Sequence, residues 1–261
     1  MARIIYAGDS TVTFNKIATY PQMGLSQGLL LYLKDEVVLR SFAINGRSTK
    51  SFIDQGRLAQ IDAYLHDKGS EEDFLFIQFG HNDEKQSDAA RYAAAFTDYK
   101  DNLKQFIAVA RKHGARPVLF TPIARRLFDT DGKFLPGSHT DYPEAVRQVA
   151  KEEDVPCIDM TTLTETYLSV IGDFASRAMY VYPKDNTHLV MQGAMVYAGF
   201  IADGLRKLGH PYVDLLVARD AKTVDDDGLL SADPYMPLGD IGKLEQISEN
   251  IDAAFHDETE D

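Results

Sequence analysis

Short apolar runs alternate with longer amphipathic segments along most of the chain. Five runs have the length and composition of buried strands: residues 4–7, 37–43, 74–79, 118–121 and 155–158. Five longer segments repeat apolar residues at spacings of three and four, as helices do: residues 22–33, 51–65, 90–113, 142–153 and 188–208. Strands that alternate with helices predict βαβ units and a parallel sheet.

Polar residues stand where several of these elements end. Ser10 follows the first strand in the turn Gly8-Asp9-Ser10, Gly46 follows the second strand, and Asn82 follows the third. His188 lies just before the last helix, three residues after Asp185. Ligands of an open parallel sheet bind outside the carboxyl ends of its strands. We therefore expect these residues to meet at one edge of the sheet.

These residue types form a set suited to acyl transfer. Serine is a weak nucleophile until a general base takes its proton, and His188 can be the base for Ser10. Asp185 can orient the imidazole and stabilise its protonated form. The Asn82 side-chain amide and the backbone N–H groups of Gly46 and Ser10 can bind the oxyanion of a tetrahedral intermediate.

Three other features compete with this interpretation. Gly-Asp-Ser is also ordinary turn chemistry. Gly24-Leu25-Ser26-Gln27-Gly28 matches the Gly-x-Ser-x-Gly nucleophile elbow, but no buried strand precedes it. We therefore place Ser26 in the first helix. His81 is a second candidate base, and we assign it a structural role because its neighbour Asn82 must already point into the site.

The segment 123–140 has no clear periodicity, and its residues are candidates for substrate binding. Arg125 and Arg126 follow the fourth strand and Pro122. Either of them can clamp the carboxylate of a uronic acid, since a guanidinium presents a fork that matches a carboxylate. The alternative is a pair of arginines bound to surface carboxylates. His139 is either a substrate contact or a plain loop histidine.

The four stretches that carry Ser10, Gly46, Asn82 and His188, in this order along the chain, resemble the four signature blocks of the SGNH (GDSL-type) hydrolase superfamily. The family's terminal Asp-x-x-His corresponds to Asp185 and His188. The resemblance implies an α/β fold, a flavodoxin-like three-layer α/β/α sandwich with a parallel sheet of about five strands. It also implies serine-esterase chemistry that uses neither a metal nor another cofactor.

More narrowly, the chain resembles the rhamnogalacturonan acetylesterase branch of that superfamily. The resemblance rests on Gly-Asp-Ser-Thr, Gly-His-Asn-Asp, Asp-Asn-Thr-His-Leu and the stretches 121–126 and 141–147. It implies that the substrate is an acetylated pectic oligosaccharide. The branch usually carries a Gly-Trp-Gly-like block where this chain reads Met23-Gly24-Leu25-Ser26, which leaves the fine specificity open.

Two rival functions remain at this stage. The same residues can serve a lysophospholipase or a thioesterase, which would need an apolar channel for a long acyl chain. The fold can also belong to a non-catalytic module that binds flavin or a nucleotide at the switch point of the sheet.

Charge and composition indicate the domain organisation, the partners and the location of the protein. Most of the formal net charge of −13 falls after residue 213, so we divide the chain into a hydrolase domain, 1–213, and an acidic extension, 214–261, that packs on the core or on a partner. This charge argues against nucleic-acid binding. No apolar run is long enough for a membrane span, and no signal peptide is visible, so we expect a cytoplasmic protein. A homo-oligomer is compatible with the sequence.

Overall fold

A parallel sheet of five strands forms the centre of the computed structural model, which describes residues 1–67 and 72–218. The strands are β1 (Ala2–Gly8), β2 (Val38–Ser41), β3 (Glu72–Gln78), β4 (Arg116–Phe120) and β5 (Cys157–Ile158). Their order in the sheet is β2-β1-β3-β4-β5, and every neighbouring pair is parallel. All five predicted strands are present, with ends that differ by a few residues.

Helices cover both faces of the sheet. They are α1 (Leu25–Leu29), α2 (Thr49–Asp54), α3 (Arg57–His66), α4 (Lys100–Lys112), α5 (Tyr142–Glu152), α6 (Met160–Ser176) and α7 (Met191–Leu208). Successive side chains of a strand point to opposite faces. In β1, Ile4 and Tyr6 pack with α1, α6 and α7, whereas Ile5 and Ala7 pack with α2 to α5. The predicted three-layer α/β/α fold is confirmed.

The helices differ more from the prediction than the strands do. The segment 51–65 is two helices rather than one, because Gly56 has a φ of +72° and ends the regular backbone between α2 and α3. The segment 90–113 becomes α-helical only at Lys100, after a single wide turn, Ala95–Tyr99. Helix α6 was not predicted at all, since its threonines interrupt the apolar periodicity and Gly172 breaks its backbone.

The described chain ends close to β2 and α7. Lys34 N–H donates to the carbonyl oxygen of Leu215, and Leu33 forms a bridge with Leu216. Residues 1–217 form one compact unit. The predicted acidic extension lies outside the described residues from 219 onward. Within the described ranges, no helix is long and apolar enough to cross a membrane.

Asp83 joins two loops that flank the carboxyl edge of the sheet. One oxygen of this buried carboxyl group accepts hydrogen bonds from the Thr49 N–H, at 2.8 Å, and from the Thr49 hydroxyl, at 2.5 Å. The other oxygen has no hydrogen-bond partner in the described part of the chain. Burial raises the pKa of Asp83 to about 7, although the bonds from Thr49 oppose that shift. The loop after β3 is thereby tied to the first turn of α2.

This burial predicts how Asp83→Asn changes thermal stability. Between about pH 4 and pH 7 the folded protein keeps a proton on Asp83 that the unfolded chain has released, so its contribution to stability falls as the pH rises through that range. Asparagine does not ionise. We therefore expect the Tm of Asp83→Asn, relative to wild type, to rise between about pH 5 and pH 8.

Thermal unfolding followed by circular dichroism at several pH values measures this difference. Asp101→Asn, on the exposed surface of α4, is the matched control and should show no such trend. A Tm difference between Asp83→Asn and wild type that stays constant with pH would contradict the prediction.

Candidate active site

A cavity of about 290 Å³ opens at the carboxyl edge of the sheet. The four residues that correspond to the family signature, Ser10, Gly46, Asn82 and His188, all line it. They come from the ends of β1 and β3, the loop after β2 and the segment before α7. The topology therefore brings together residues that are far apart in the sequence, as expected for a parallel sheet.

Ser10, His188 and Asp185 form a continuous hydrogen-bonded line. His188 Nε2 lies 2.8 Å from Ser10 Oγ, and His188 Nδ1 lies 2.5 Å from Asp185 Oδ2. The other Asp185 oxygen accepts from the backbone N–H groups of Thr187, at 2.6 Å, and His188, at 3.1 Å. Asp185 therefore holds both the ring of His188 and its backbone.

The charge of Asp185 sets the tautomer of His188. Burial alone would raise the pKa of Asp185, but the hydrogen bonds from His188 and from the two backbone N–H groups hold it below its ordinary value. The carboxylate is therefore ionised near neutral pH and accepts the Nδ1 proton of the imidazole. Nε2 is left as the acceptor for the Ser10 hydroxyl, which is the state that a general base requires.

The turn that carries Ser10 is held by close packing and by Asp9. A Cβ on Gly8 would lie only 2.8 Å from the Val12 side chain, so the end of β1 needs a glycine. One Asp9 oxygen accepts from both the N–H and the hydroxyl of Thr11, at 2.9 and 2.8 Å. Ser10 is 7% exposed and lines the cavity from this turn.

The three predicted oxyanion donors belong to residues that line the cavity. Within the described residues, the backbone N–H groups of Ser10 and Gly46 donate to no protein atom. Gly46 has a φ of +75°, a conformation that favours glycine. The Asn82 Nδ2 group donates one hydrogen to the Arg47 carbonyl oxygen at 3.0 Å, and its second hydrogen has no acceptor among the described atoms.

The orientation of the Asn82 amide follows from its partners. Its Oδ1 atom accepts from Lys85 Nζ at 2.7 Å, and Arg91 Nη1 lies 3.4 Å away. Two cationic donors thus bind the oxygen side, while a carbonyl oxygen binds the nitrogen side. These contacts fix which end of the amide is the donor.

The structure brings one of the three predicted substrate-binding residues to the cavity. Arg125 lines it, donates to the Thr187 hydroxyl at 2.7 Å and forms an ion pair with Glu84. His139 lies behind the cavity lining, where its ring nitrogens contact Glu84 at 2.9 Å and the Ile123 carbonyl oxygen at 2.8 Å.

Arg126 points away from the cavity. It is 3% exposed, contacts Asp173, and donates to the Ser176 hydroxyl at 2.9 Å and to Asn186 Oδ1 at 3.2 Å. Its guanidinium also lies over the rings of Phe128 and Tyr182. These contacts satisfy its donors inside the protein.

His81 and Ser26, the two competing candidates, occupy different surroundings. The His81 ring is buried, with Nδ1 3.3 Å from Asp9 Oδ2, and it packs edge to face on His139. Burial and the neighbouring His139 lower the pKa of His81 to about 4, and Asp9 offsets part of that shift. His81 is therefore neutral near pH 7. Ser26 is buried in α1 with its hydroxyl 3.1 Å from that of Ser41.

Sequence reasoning missed two cations that line the cavity, Lys85 and Arg91. Lys85 comes three residues after Asn82, so its place in a strand-end loop was a usable signal. Arg91 lies further along the same connection, where the sequence predicted the start of a helix. Among residues 1–67 and 72–218, no group of three or more His, Cys, Asp or Glu side chains is arranged to hold a metal ion.

Comparison with known proteins shows which family the chain belongs to. Residues 7–194 match the sequence model of the GDSL-like lipase/acylhydrolase family. The chain is 36% identical to a rhamnogalacturonan acetylesterase of Bacillus subtilis, over 84% of this chain and 96% of the relative. It is 38% identical to a probable rhamnogalacturonan acetylesterase of the same bacterium, over 83% of this chain and 99% of the relative.

Solved structures share the fold. The YxiM protein of Bacillus subtilis superposes with a TM-score of 0.69 at 25% identity, covering 80% of this chain and 57% of that one. An acetylxylan esterase of Geobacillus stearothermophilus superposes with a TM-score of 0.58 at 16% identity, covering 83% and 97%. With the family match over most of its length, the chain belongs to the GDSL-like lipase/acylhydrolase family and is a carboxylic ester hydrolase.

Proposed function

We propose that this enzyme removes O-acetyl groups from pectic oligosaccharides of the rhamnogalacturonan type. The observation that carries the proposal is the 2.8 Å contact between Ser10 Oγ and His188 Nε2, with Asp185 behind the imidazole. The choice of an acetylated sugar is supported by two relatives whose names refer to rhamnogalacturonan acetylesterase and which this chain matches at 36% and 38% identity.

In the first half of the reaction, Ser10 Oγ attacks the acetyl carbonyl carbon while His188 Nε2 takes the hydroxyl proton. The carbonyl π bond becomes a lone pair on oxygen, and the N–H groups of Ser10 and Gly46 and the Asn82 amide stabilise that negative charge. The intermediate collapses, the sugar oxygen leaves, and His188 returns the proton to it. The products are an acetyl-serine and a free sugar hydroxyl.

In the second half, a water molecule replaces the sugar. His188 removes a proton from the water as its oxygen attacks the acetyl-serine carbonyl, and the same three donors bind the new oxyanion. Collapse then releases acetate, and the proton on His188 passes back to Ser10 Oγ. Asp185 stabilises the imidazolium in each half and stays ionised throughout.

The cavity favours a short acyl group. Its lining in the described part of the chain consists of polar and charged side chains together with Gly46, and it holds no aliphatic channel. A long acyl chain would have to lie against these polar groups and desolvate them, which costs free energy. This observation supports the acetylesterase over the lysophospholipase or thioesterase.

Substitution of the proposed catalytic residues provides the direct test. With 4-nitrophenyl acetate, Ser10→Ala and His188→Ala should each lower kcat by about 10⁴-fold or more, and Asp185→Asn by about 10⁴-fold. Asn82→Ala should lower it by about 10²–10³-fold, because one oxyanion donor is lost.

Ser26→Ala is the matched control for these variants. Its hydroxyl is buried in α1 and bonded to Ser41, so kcat should stay near that of wild type. Wild-type rates in both Ser10→Ala and His188→Ala would remove the proposed mechanism.

A second prediction concerns the substrate. We expect kcat/KM for 4-nitrophenyl esters to fall steeply beyond butyrate, and acetate release from acetylated rhamnogalacturonan fragments to exceed release from acetylated xylan. Acetate is measured enzymatically at equal ester concentration. A preference for octanoate would instead favour the lipid or thioester hydrolases.

The expectations of a cytoplasmic location and of a homo-oligomer stay predictions. Fractionation of cells that express the native protein tests the first, and light scattering coupled to size exclusion tests the second.

A further inference from the structure

Three cationic side chains line the cavity of a protein whose formal net charge is −13. Lys85, Arg91 and Arg125 all line it, and none of its lining residues in the described part of the chain is acidic. A cleft lined by one sign of charge raises the local concentration of the opposite ion. The lining therefore favours a substrate that is itself anionic.

The three cations differ in how they are neutralised. Arg125 is paired with Glu84, and Arg91 Nε lies 2.6 Å from Asp88 Oδ2. Lys85 Nζ contacts Asn82 Oδ1, a neutral acceptor, and no carboxylate lies within salt-bridge distance of it among the described residues. Burial, together with Arg91 and Arg125, lowers the pKa of Lys85. An anion bound beside Lys85 would supply the missing negative partner and would raise the pKa of Lys85 toward its ordinary value.

The position of Lys85 and Arg91 next to the oxyanion donors indicates where on the substrate a bound anion would lie. Lys85 Nζ and Arg91 Nη1 both approach Asn82 Oδ1, and a Cβ built on Gly46 would lie 4.0 Å from Arg91 Nη1. An anion bound here would therefore lie close to the acetyl group under attack. Two Lys85 hydrogens and the Arg91 Nη2 group remain as donors, enough for the two oxygens of a carboxylate.

We propose that Lys85 and Arg91 form a subsite for a carboxylate of the sugar that carries the acetyl ester, so that a hexuronate is preferred over a neutral sugar. The inference rests on the proposed acetylesterase function. The sequence leaves Arg125 and Arg126 as candidates for this role. Arg125 binds Thr187 and Glu84 through both of its terminal nitrogens, whereas Arg91 binds Asp88 through Nε, and Arg126 does not line the cavity.

If Lys85 and Arg91 served only to position the Asn82 amide, their substitution would have a different effect. Lys85 and Arg91 also hold the Asn82 amide in place, and loss of that contact would weaken the oxyanion site. Such an effect would lower the rate equally for charged and neutral substrates, because the acetyl carbonyl is the same in both. The ratio of the two rates therefore isolates carboxylate binding.

The experiment uses one acetylated methyl hexuronoside in two forms, the free acid and its neutral methyl ester. Wild-type enzyme should show a kcat/KM about 10- to 100-fold higher for the free acid, the range expected for charge-assisted hydrogen bonds. Lys85→Gln and Arg91→Gln should each reduce that ratio toward one, mainly through KM. Lys85→Arg, which keeps the charge, should retain a clear preference for the acid.

Lys151→Gln, on the exposed end of α5, is the matched control and should leave the ratio unchanged. If Lys85→Gln does not fold, the salt dependence of wild type decides, since the preference should fall as sodium chloride is raised from about 0.02 to 0.5 M.

Each contrary outcome is informative. No preference in wild type, a preference insensitive to salt, or an equal loss for both substrates in Lys85→Gln would overturn the subsite. Wild-type hydrolysis of 4-nitrophenyl acetate that depends on Ser10 would then leave the proposed function standing. If wild type hydrolyses no ester at all, the function and the subsite fall together.

Discussion

The contact between Ser10 Oγ and His188 Nε2 depends on how two distant parts of the chain are held together. The turn that carries Ser10 is bonded to the start of α1, because Leu25 N–H donates to the Thr11 carbonyl oxygen at 2.8 Å. A Cβ on Gly28 would lie 2.3 Å from the Ala194 carbonyl oxygen, so α1 and α7 touch through their backbones. Close packing of small residues thus sets the distance between nucleophile and base.

Burial strengthens the interactions between the charged side chains around the cavity. Ion pairs that are partly removed from water are screened less than surface pairs, so each charge near the cavity acts strongly on its neighbours. Glu84 accepts from both Arg125 and His139 and so joins the loops that follow β3 and β4. Where a cation lacks such a partner, as Lys85 does among the described residues, the charge is available to a ligand. The same burial therefore stabilises the loops and creates a preference for anions.

The sequence allowed the sheet and the residues at its edge to be predicted because both depend on local patterns. A buried strand is a short apolar run, and its end is marked by glycine and polar residues, as at Gly8 and Gly80. Helix α6 escaped notice because its threonines are satisfied by hydrogen bonds that the pattern does not reveal, such as Thr164 Oγ1 to the Met160 carbonyl oxygen. Lys85 lies only three residues after Asn82 and could have been predicted, whereas the place of Arg91 depends on how the connection after β3 folds back over Asn82.

Arg125 and Arg126 are adjacent in the sequence and bind two adjacent residues of the segment before α7. Arg125 donates to the Thr187 side chain, while Arg126 binds Asn186 through its backbone N–H, at 2.8 Å, and its guanidinium, at 3.2 Å. Asn186 and Thr187 are the two residues between Asp185 and His188. The arginines therefore hold the short segment whose ends supply the carboxylate and the imidazole. Because Asp185 in turn bonds the Thr187 and His188 N–H groups, the geometry of the base is set by contacts on both sides of that segment.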